Sequence, residues 1–286
     1  MTFVLAAASF SVLVSVLLKL MPRHGIDVGQ AVTWNYLAAG LLCLWMLAPP
    51  LETLYSPTTP WPALLVLAVV LPSLFLVLAA AVRHAGIVRT DIAQRLSLLL
   101  SLIAAFTWFG EPLGAWKLIG LALGLVAVLA ILMRSETRAP PARGAMWLLL
   151  AVWFGFALVD VMLKAIARAG TPFAASLLAV FVLAFAGMLA LQLWRHAAGR
   201  HLRLRHFAAG LLLGVLNFGN IVCYVRAHRA LPESPAVVFA TMNIGVVVLG
   251  TLVGVLMFGE RTSRWNRLGI ALAIVAIALI AFSPQP

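Results

Sequence analysis

The chain has 286 residues, 64% of them hydrophobic and only 10% charged, with a formal net charge of +12 and a mean hydropathy of +1.09. A soluble domain carries roughly 45–50% apolar and about 25% charged residues, so this composition excludes an ordinary water-soluble core and makes lipid the solvent for most of the chain. The basic residues are dispersed between apolar runs, which fits anionic headgroups and the cytoplasmic retention of Lys and Arg, and argues against nucleic acid as a partner.

The opening stretch, MTFVLAAASFSVLVSVLLKL, is apolar from Phe3 and has no basic leading segment. It reads as a first span over 2–20, not as a cleaved signal peptide. Further stretches near the ~20 residues needed to cross a bilayer follow at 31–48, 62–83, 91–109, 115–133, 144–166, 173–194, 207–226, 236–258 and 267–283, punctuated by Pro, Gly and charge. Only helices can be this apolar and still satisfy their backbone hydrogen bonds in lipid. The predicted fold class is therefore an all-α integral membrane protein with ten transmembrane helices, multi-pass in the cell inner membrane or plasma membrane. Cys43 and Cys223 both fall in apolar segments with no CxxC or Cys/His cluster, and read as small buried hydrophobes.

The junction after span 4 reads FGEPLGAWKLIGLALG from Phe109, and FGERTSRWNRLGIALA appears 149 positions later from Phe258. Nine of nineteen positions are identical between 109–127 and 258–276. At an offset of 145, Leu13, Val14, Val16, Leu18, Lys19, Arg23 and Gly25 recur as Leu158, Val159, Val161, Leu163, Lys164, Arg168 and Gly170. The chain reads as a duplicated five-span unit, over 1–134 and 144–286. Because five is odd, the second unit enters the membrane in the opposite sense, and such inverted repeats are typical of secondary transporters. Within the junction, Gly110 and Gly259 suit the left-handed residue that ends a helix. Glu111 and Glu260 then stand just before the next helix, whose N-terminal end favours a carboxylate. Trp116 and Trp265 are placed as interfacial anchors, and Gly120/Gly124 and Gly269/Ala273 give faces for close helix packing.

Polar residues inside the spans are the candidate site. In span 4, TDIAQRLSLLLS, Asp91, Gln94, Arg95, Leu98 and Ser101 fall on one face, with Asp91 and Arg95 spaced to pair. An Asp or Arg near a span centre costs roughly 2.5–3.5 kcal/mol on the insertion scale, so this face should turn to protein or to a watered cavity. In span 6, Trp153, Asp160 and Lys164 share a stripe; Ser15 takes the place of Asp160 in the first half, and Lys19 that of Lys164. The two lysines either snorkel to the headgroups or join the site. Span 8 adds Asn217, Asn220 and Tyr224, and span 9 adds Thr241 and Asn243, the repeat mate of Gln94. These neutral groups either bind substrate or bond helix to helix. The run RHAAGRHLRLRH reads as a solvated loop beside acidic lipid; its irregularly spaced histidines make no metal site. With no Walker A loop, dinucleotide fingerprint or HExxH motif, no cofactor is expected.

The duplicated junction, FGEPLGAWKLIG and FGERTSRWNRLG, resembles the drug/metabolite transporter superfamily and its EamA-type ten-span members. The segments before it, AVRHAGIVRTDIAQRLSLLLSLIAAFTWFGE and ALPESPAVVFATMNIGVVVLGTLVGVLMFGE, are similar to that family's fourth and ninth spans. The resemblance implies secondary transport, often export, of small metabolites, amino acids or drugs through a cavity between two halves. It also implies both termini in the cytoplasm. The charges say otherwise: connections 1–2, 3–4, 5–6, 7–8 and 9–10, with the span ends beside them, hold fourteen Lys and Arg, and the alternate connections hold five. By the positive-inside rule both termini lie outside.

The sequence therefore predicts a secondary transporter, an exporter of small metabolites such as amino acids or related organic solutes, working by alternating access and not an enzyme. Its partners are a small-molecule substrate and the lipid bilayer; composition does not separate a monomer from a homodimer. The expected substrate-binding residues are Asp91, Gln94, Arg95, Trp153, Asp160, Asn217, Asn220, Tyr224 and Asn243. Arg95 would hold an anionic group, Asp91 would hold Arg95, and Asp160 would carry a proton or meet a substrate amine. The alternatives are a flippase or carrier of lipid-linked or amphipathic substrates, and an integral-membrane lipid-modifying enzyme, for which no nucleophile or metal cluster is visible.

Overall fold

The computed structural model describes residues 2–108, 115–133, 143–230, 235–260 and 263–281. These form α1 (Thr2–Arg23), α2 (Val28–Leu47), α3 (Trp61–His84), α4 (Ile87–Thr107), α5 (Ala115–Met133), α6 (Arg143–Arg168), α7 (Phe173–Ala197), α8 (Leu204–Ala230), α9 (Pro235–Phe258) and α10 (Arg264–Ala281), with a 3₁₀ turn at Leu51–Tyr55. No strand occurs among the described residues. Within them, seven helices are long and apolar enough to cross a bilayer.

α1 lies along α8 and α9, α2 along α7 and α8, α3 along α6 and α7, and α4 along α6 and α9. α5 and α10 pack on each other, flanking α4 and α9, with Gly120, Gly124, Gly269 and Ala273 buried. The interior is filled by large side chains such as Tyr36, Phe181 and Phe218, while Trp45, Trp147 and Leu256 are exposed on the outside. An exterior this apolar is what lipid requires and water would penalise.

Helix ends follow local chemistry. Asp27 caps α2, its Oδ1 accepting the N–H of Gln30 at 3.0 Å. Gly259 ends α9 with φ +61°, and the N–H of Glu260 reaches back to the carbonyl of Gly254 at 2.9 Å, the closing bond of a left-handed helix end. Gly110 and Glu111 lie outside the described residues.

Two sequence expectations need correction at this end of the bundle. Glu260 serves the N-terminus of α4, not that of the helix following it. Its carboxylate accepts the N–H groups of Ile87 at 2.7 Å and Val88 at 3.1 Å, and it pairs with Lys19 of α1. Helix α4 accordingly starts at Ile87, four residues before the expected 91: a carboxylate far away in sequence satisfies its first N–H groups. Lys19 is 8% exposed, so it does not snorkel; it is held in place by Glu260 and lies over the Phe258 ring.

The basic run is likewise more than a solvated loop. Arg195 reaches Asp27 at 2.7 Å, Gln30 donates to the His201 carbonyl at 3.0 Å, and Arg205 donates to the Gly25 carbonyl. These bonds tie the α7–α8 connection to the α1–α2 turn. Partial burial acts to raise the Asp27 carboxyl, but the Arg195 guanidinium and the Gln30 N–H outweigh it and hold it below the usual carboxylate range. The α1–α2, α3–α4, α7–α8 and α9–α10 connections thus meet at one end of the molecule and are bonded together there.

Candidate functional site

Toward the other end, a cavity of about 550 Å³ lies among α2, α3, α4, α6, α7, α8 and α9. Of the nine residues expected at the site, Gln94, Arg95, Asp160 and Asn217 line it, as do Asn220, Tyr224 and Asn243. Lys164 lines it too, near the end of α6. Its remaining wall is largely aromatic and aliphatic, including Tyr36, Phe75, Phe156 and Phe181. A mostly apolar chamber with a few convergent polar groups is the usual form of a small-molecule site.

Arg95 stands where α4 passes α1 and α9. Its Nη2 donates to Ser11 Oγ at 2.8 Å and its Nη1 to Asn243 Oδ1 at 3.3 Å. Both partners are neutral, so the guanidinium is oriented without its charge being cancelled by a direct contact. Asp160, exposed to the cavity, accepts the hydroxyl of Ser101 at 2.8 Å and lies 3.5 Å from that of Ser97. Those two serines are one helical turn apart on α4, which puts both on the face that α6 packs against. One cavity therefore holds an oriented cation and an oriented carboxylate.

The amides divide their roles. Asn217 donates to Asn35 Oδ1 of α2 at 3.3 Å, so it joins helix to helix as well as lining the chamber. Asn220 Oδ1 and the Tyr36 hydroxyl have no hydrogen-bond partner. Buried polar atoms are ordinarily satisfied, so these two atoms, shut off from solvent behind the chamber lining, keep hydrogen-bonding capacity unused in this conformation. Tyr224 stacks edge-on against His228, 4.6 Å between ring centres.

Asp91 and Trp153 do not line the chamber. Asp91 was expected to hold Arg95; instead its Oδ1 accepts the hydroxyl of Ser15 at 2.9 Å, and Arg95 turns away to Ser11 and Asn243. The i, i+4 spacing permits the pair on an isolated helix, but one hydroxyl on α1 engages a single oxygen of Asp91 and another engages Arg95. Trp153, although on the Asp160 stripe, donates its Nε1–H to the Leu96 carbonyl at 2.8 Å and packs against the cluster joining α4, α5, α9 and α10. It fastens α6 to α4.

Sequence reasoning missed Ser11, Ser97, Asn35 and the aromatic wall. The serines and Asn35 sit in spans where a lone small polar residue is common, and the aromatics are indistinguishable in sequence from those that fill a core. The repeat offset does supply one signal, since Ser15, the mate of Asp160, is itself bonded to a carboxylate.

Residues 1–133 match the EamA-like transporter family. A protein of Haemophilus influenzae, described only as uncharacterized, is 38% identical over 275 residues, covering 93% of each chain. The helical bundle, its lipid-suited exterior and its polar-lined chamber agree with that match: the chain belongs to the EamA-like transporter family and is a multi-pass membrane transporter of small solutes.

Proposed function

We propose that this protein is a secondary transporter that exports small zwitterionic metabolites, amino acids and related organic solutes among them, by alternating access. The observation that carries the reading is the chamber itself, with Arg95 of α4 and Asp160 of the neighbouring α6 both held by neutral partners. Arg95 presents a planar, two-pronged donor suited to a carboxylate. Asp160 and the amides of Asn220 and Gln94 suit an amine, and the aromatic wall suits an apolar side chain. Asn217, Tyr224 and Asn243 complete the lining.

Support for two inverted five-helix units comes from the pattern of packing. Adding five to each helix number turns α1 with α8 into α6 with α3, α2 with α8 into α7 with α3, and α1 with α9 into α6 with α4; all of these pairs pack. The pairs α2 with α7, α4 with α9 and α5 with α10 map onto themselves. Under this reading, the bonds among Lys19, Glu260 and the α4 N-terminus seal one end while the chamber is open toward the other. An exchange of roles between the halves then carries the solute across.

A smaller apolar pocket favours amphipathic cargo as a second reading. About 80 Å³ between α3, α6 and α7 shares Leu71, Leu163, Phe173 and Leu177 with the main chamber. It offers room for a tail beside the polar site.

The test is efflux from preloaded proteoliposomes of a panel of labelled amino acids, organic acids, amines and short-chain lysolipids. Efflux of zwitterions that Arg95→Gln and Asp160→Asn each abolish supports the primary reading. Movement of the lysolipids alone, indifferent to both substitutions, replaces it with the second.

A further inference from the structure

We infer that Asp91 is a proton-binding site that carries a proton while the end of the molecule nearest it is sealed, and gives that proton up when that end opens. Asp91 is 1% exposed. One carboxylate oxygen has Ser15 as its donor; the other, Oδ2, has no hydrogen-bond partner. It is pressed against α9 at Gly250, where a Cβ would overlap Oδ2. The charged groups that act on it are Arg95, one turn along α4 on the chamber side, and Glu260 on the sealed side. Lys19 of α1 is engaged by Glu260, Arg89 lies two residues back on α4, and α9 meets the carboxylate at Gly250. Among the described residues no cation touches the carboxylate. A buried carboxylate without a paired cation is neutralised by taking up a proton, because the cost of leaving it charged in a low dielectric exceeds the cost of protonation.

Its position gives the proton a role, and this step rests on the alternating-access reading above. Ser15 is the repeat mate of Asp160, and Gly250 is the mate of Ser101 at the 149-residue offset. On the chamber side, Asp160 of α6 meets Ser101 of α4. On the sealed side the equivalent helices α1 and α9 bring Ser15 and Gly250 together, and the Asp91 carboxylate fills the space between them. The two carboxylates thus occupy corresponding places in the two halves, one open to the chamber and one shut away. When the halves exchange roles, the aqueous phase reaches Asp91. The O–H bond breaks, the proton passes to water, and the carboxylate left behind is stabilised by solvent and by Arg95. Resealing that end requires the proton to return. Transport is then coupled to one proton entering or leaving at Asp91.

The proton is observable without any substrate, so failure here is separable from failure of the transport reading. The chain has three aspartates, Asp27, Asp91 and Asp160, and aspartate labelled with carbon-13 at its side-chain carboxyl makes each visible by infrared spectroscopy in lipid nanodiscs. Near neutral pH the labelled protein should show a protonated-acid carbonyl band that is lost in Asp91→Asn. In Ser15→Ala, which keeps the acid but removes its hydroxyl partner, the band should move to higher frequency. Transfer to heavy water should shift the band slowly in the wild type, and about tenfold faster or more once Lys19→Met and Glu260→Gln together loosen the sealed end. A protein with no protonated aspartate near neutral pH would overturn the inference. So would a band that answers to Asp160→Asn and ignores both Asp91→Asn and Ser15→Ala. If Asp91→Asn does not fold, the Ser15→Ala shift and the exchange rate decide alone.

Discussion

Arg95 is the residue whose chemistry the chamber depends on most, because its two terminal nitrogens are fixed by Ser11 and Asn243 while its charge stays available. Arg95→Lys keeps the charge, but a single ammonium cannot reproduce the planar fork that spans α1 and α9. Under the proposed function, efflux of anionic or zwitterionic probes should fall by about tenfold or more with normal amounts of protein in the membrane, because the ammonium keeps the charge but loses the fork that Ser11 and Asn243 orient. Unchanged efflux in Arg95→Lys would reduce Arg95 to a helix fastener. Asp27 supplies the residue-scale pH response. Its carboxyl is held below the ordinary range by Arg195 and the Gln30 N–H against the effect of burial, so its stabilisation is fully present above the unfolded value of about 3.9 and is lost as pH falls through the lower folded value. The thermal midpoint in detergent should therefore drop below about pH 4 by more in the wild type than in Asp27→Asn. Parallel acid limbs for the two proteins would show that the Arg195 contact contributes nothing to closing this end.

At the scale of elements, the sequence disclosed where helices run but not what holds their ends. Apolar runs and Pro/Gly punctuation locate the ten described helices within a few residues, seven of them long and apolar enough to cross a bilayer. The start of α4 was misplaced because its cap, Glu260, stands 173 residues from Ile87, and local rules see only neighbours in sequence. The site divides in the same way. Helical periodicity gathered Gln94, Arg95 and Ser101 on one face, yet it also promised an Asp91–Arg95 pair that hydroxyls on α1 dissolve, and it put Trp153 on a stripe without revealing that Leu96 would engage it. The Lys19–Glu260 contact can be weighed directly. Glu260→Ala strips the α4 cap, costing about 0.5–2 kcal/mol, and leaves Lys19 buried without its partner, a further cost of about 3–5 kcal/mol. Lys19→Met with Glu260→Gln removes both charges and keeps an amide oxygen for the cap, so the double variant should melt higher than the single one. A double variant no more stable than Glu260→Ala would mean that the ion pair does not hold this end. Close approach offers a second check. A Cβ on Gly210 would come within 2.5 Å of the Ala31 carbonyl oxygen and the Trp34 Cβ, and backbone cannot step aside as a side-chain tip can. Gly210→Ala should separate α8 from α2 and lower stability by about 1–3 kcal/mol, read as a lower melting midpoint.

At the scale of the whole molecule, orientation decides which compartment the chamber faces. Fourteen of the twenty Lys and Arg belong to the connections and span ends on one side, and the structure gathers four of those five connections, α1–α2, α3–α4, α7–α8 and α9–α10, at the sealed end. Short basic connections resist crossing the bilayer. On that ground we propose that the sealed end lies in the cytoplasm and both termini outside, so that the chamber in this conformation faces outward. The resemblance to ten-span relatives implies the reverse, with cytoplasmic termini. The two are separable with a reporter that is active only outside the cytoplasm. Fused after Pro286, it should be active. Inserted at Gly199, an exposed turn between α7 and α8 with φ +88°, it should be silent; placing it there spares Arg195, His201 and Arg205, whose bonds close this end. The opposite pattern would show that features other than the charge asymmetry set the orientation. It would also turn the chamber toward the cytoplasm, so that Arg95 and Asp160 would be meeting solute on the loading side of an exporter and not on its release side.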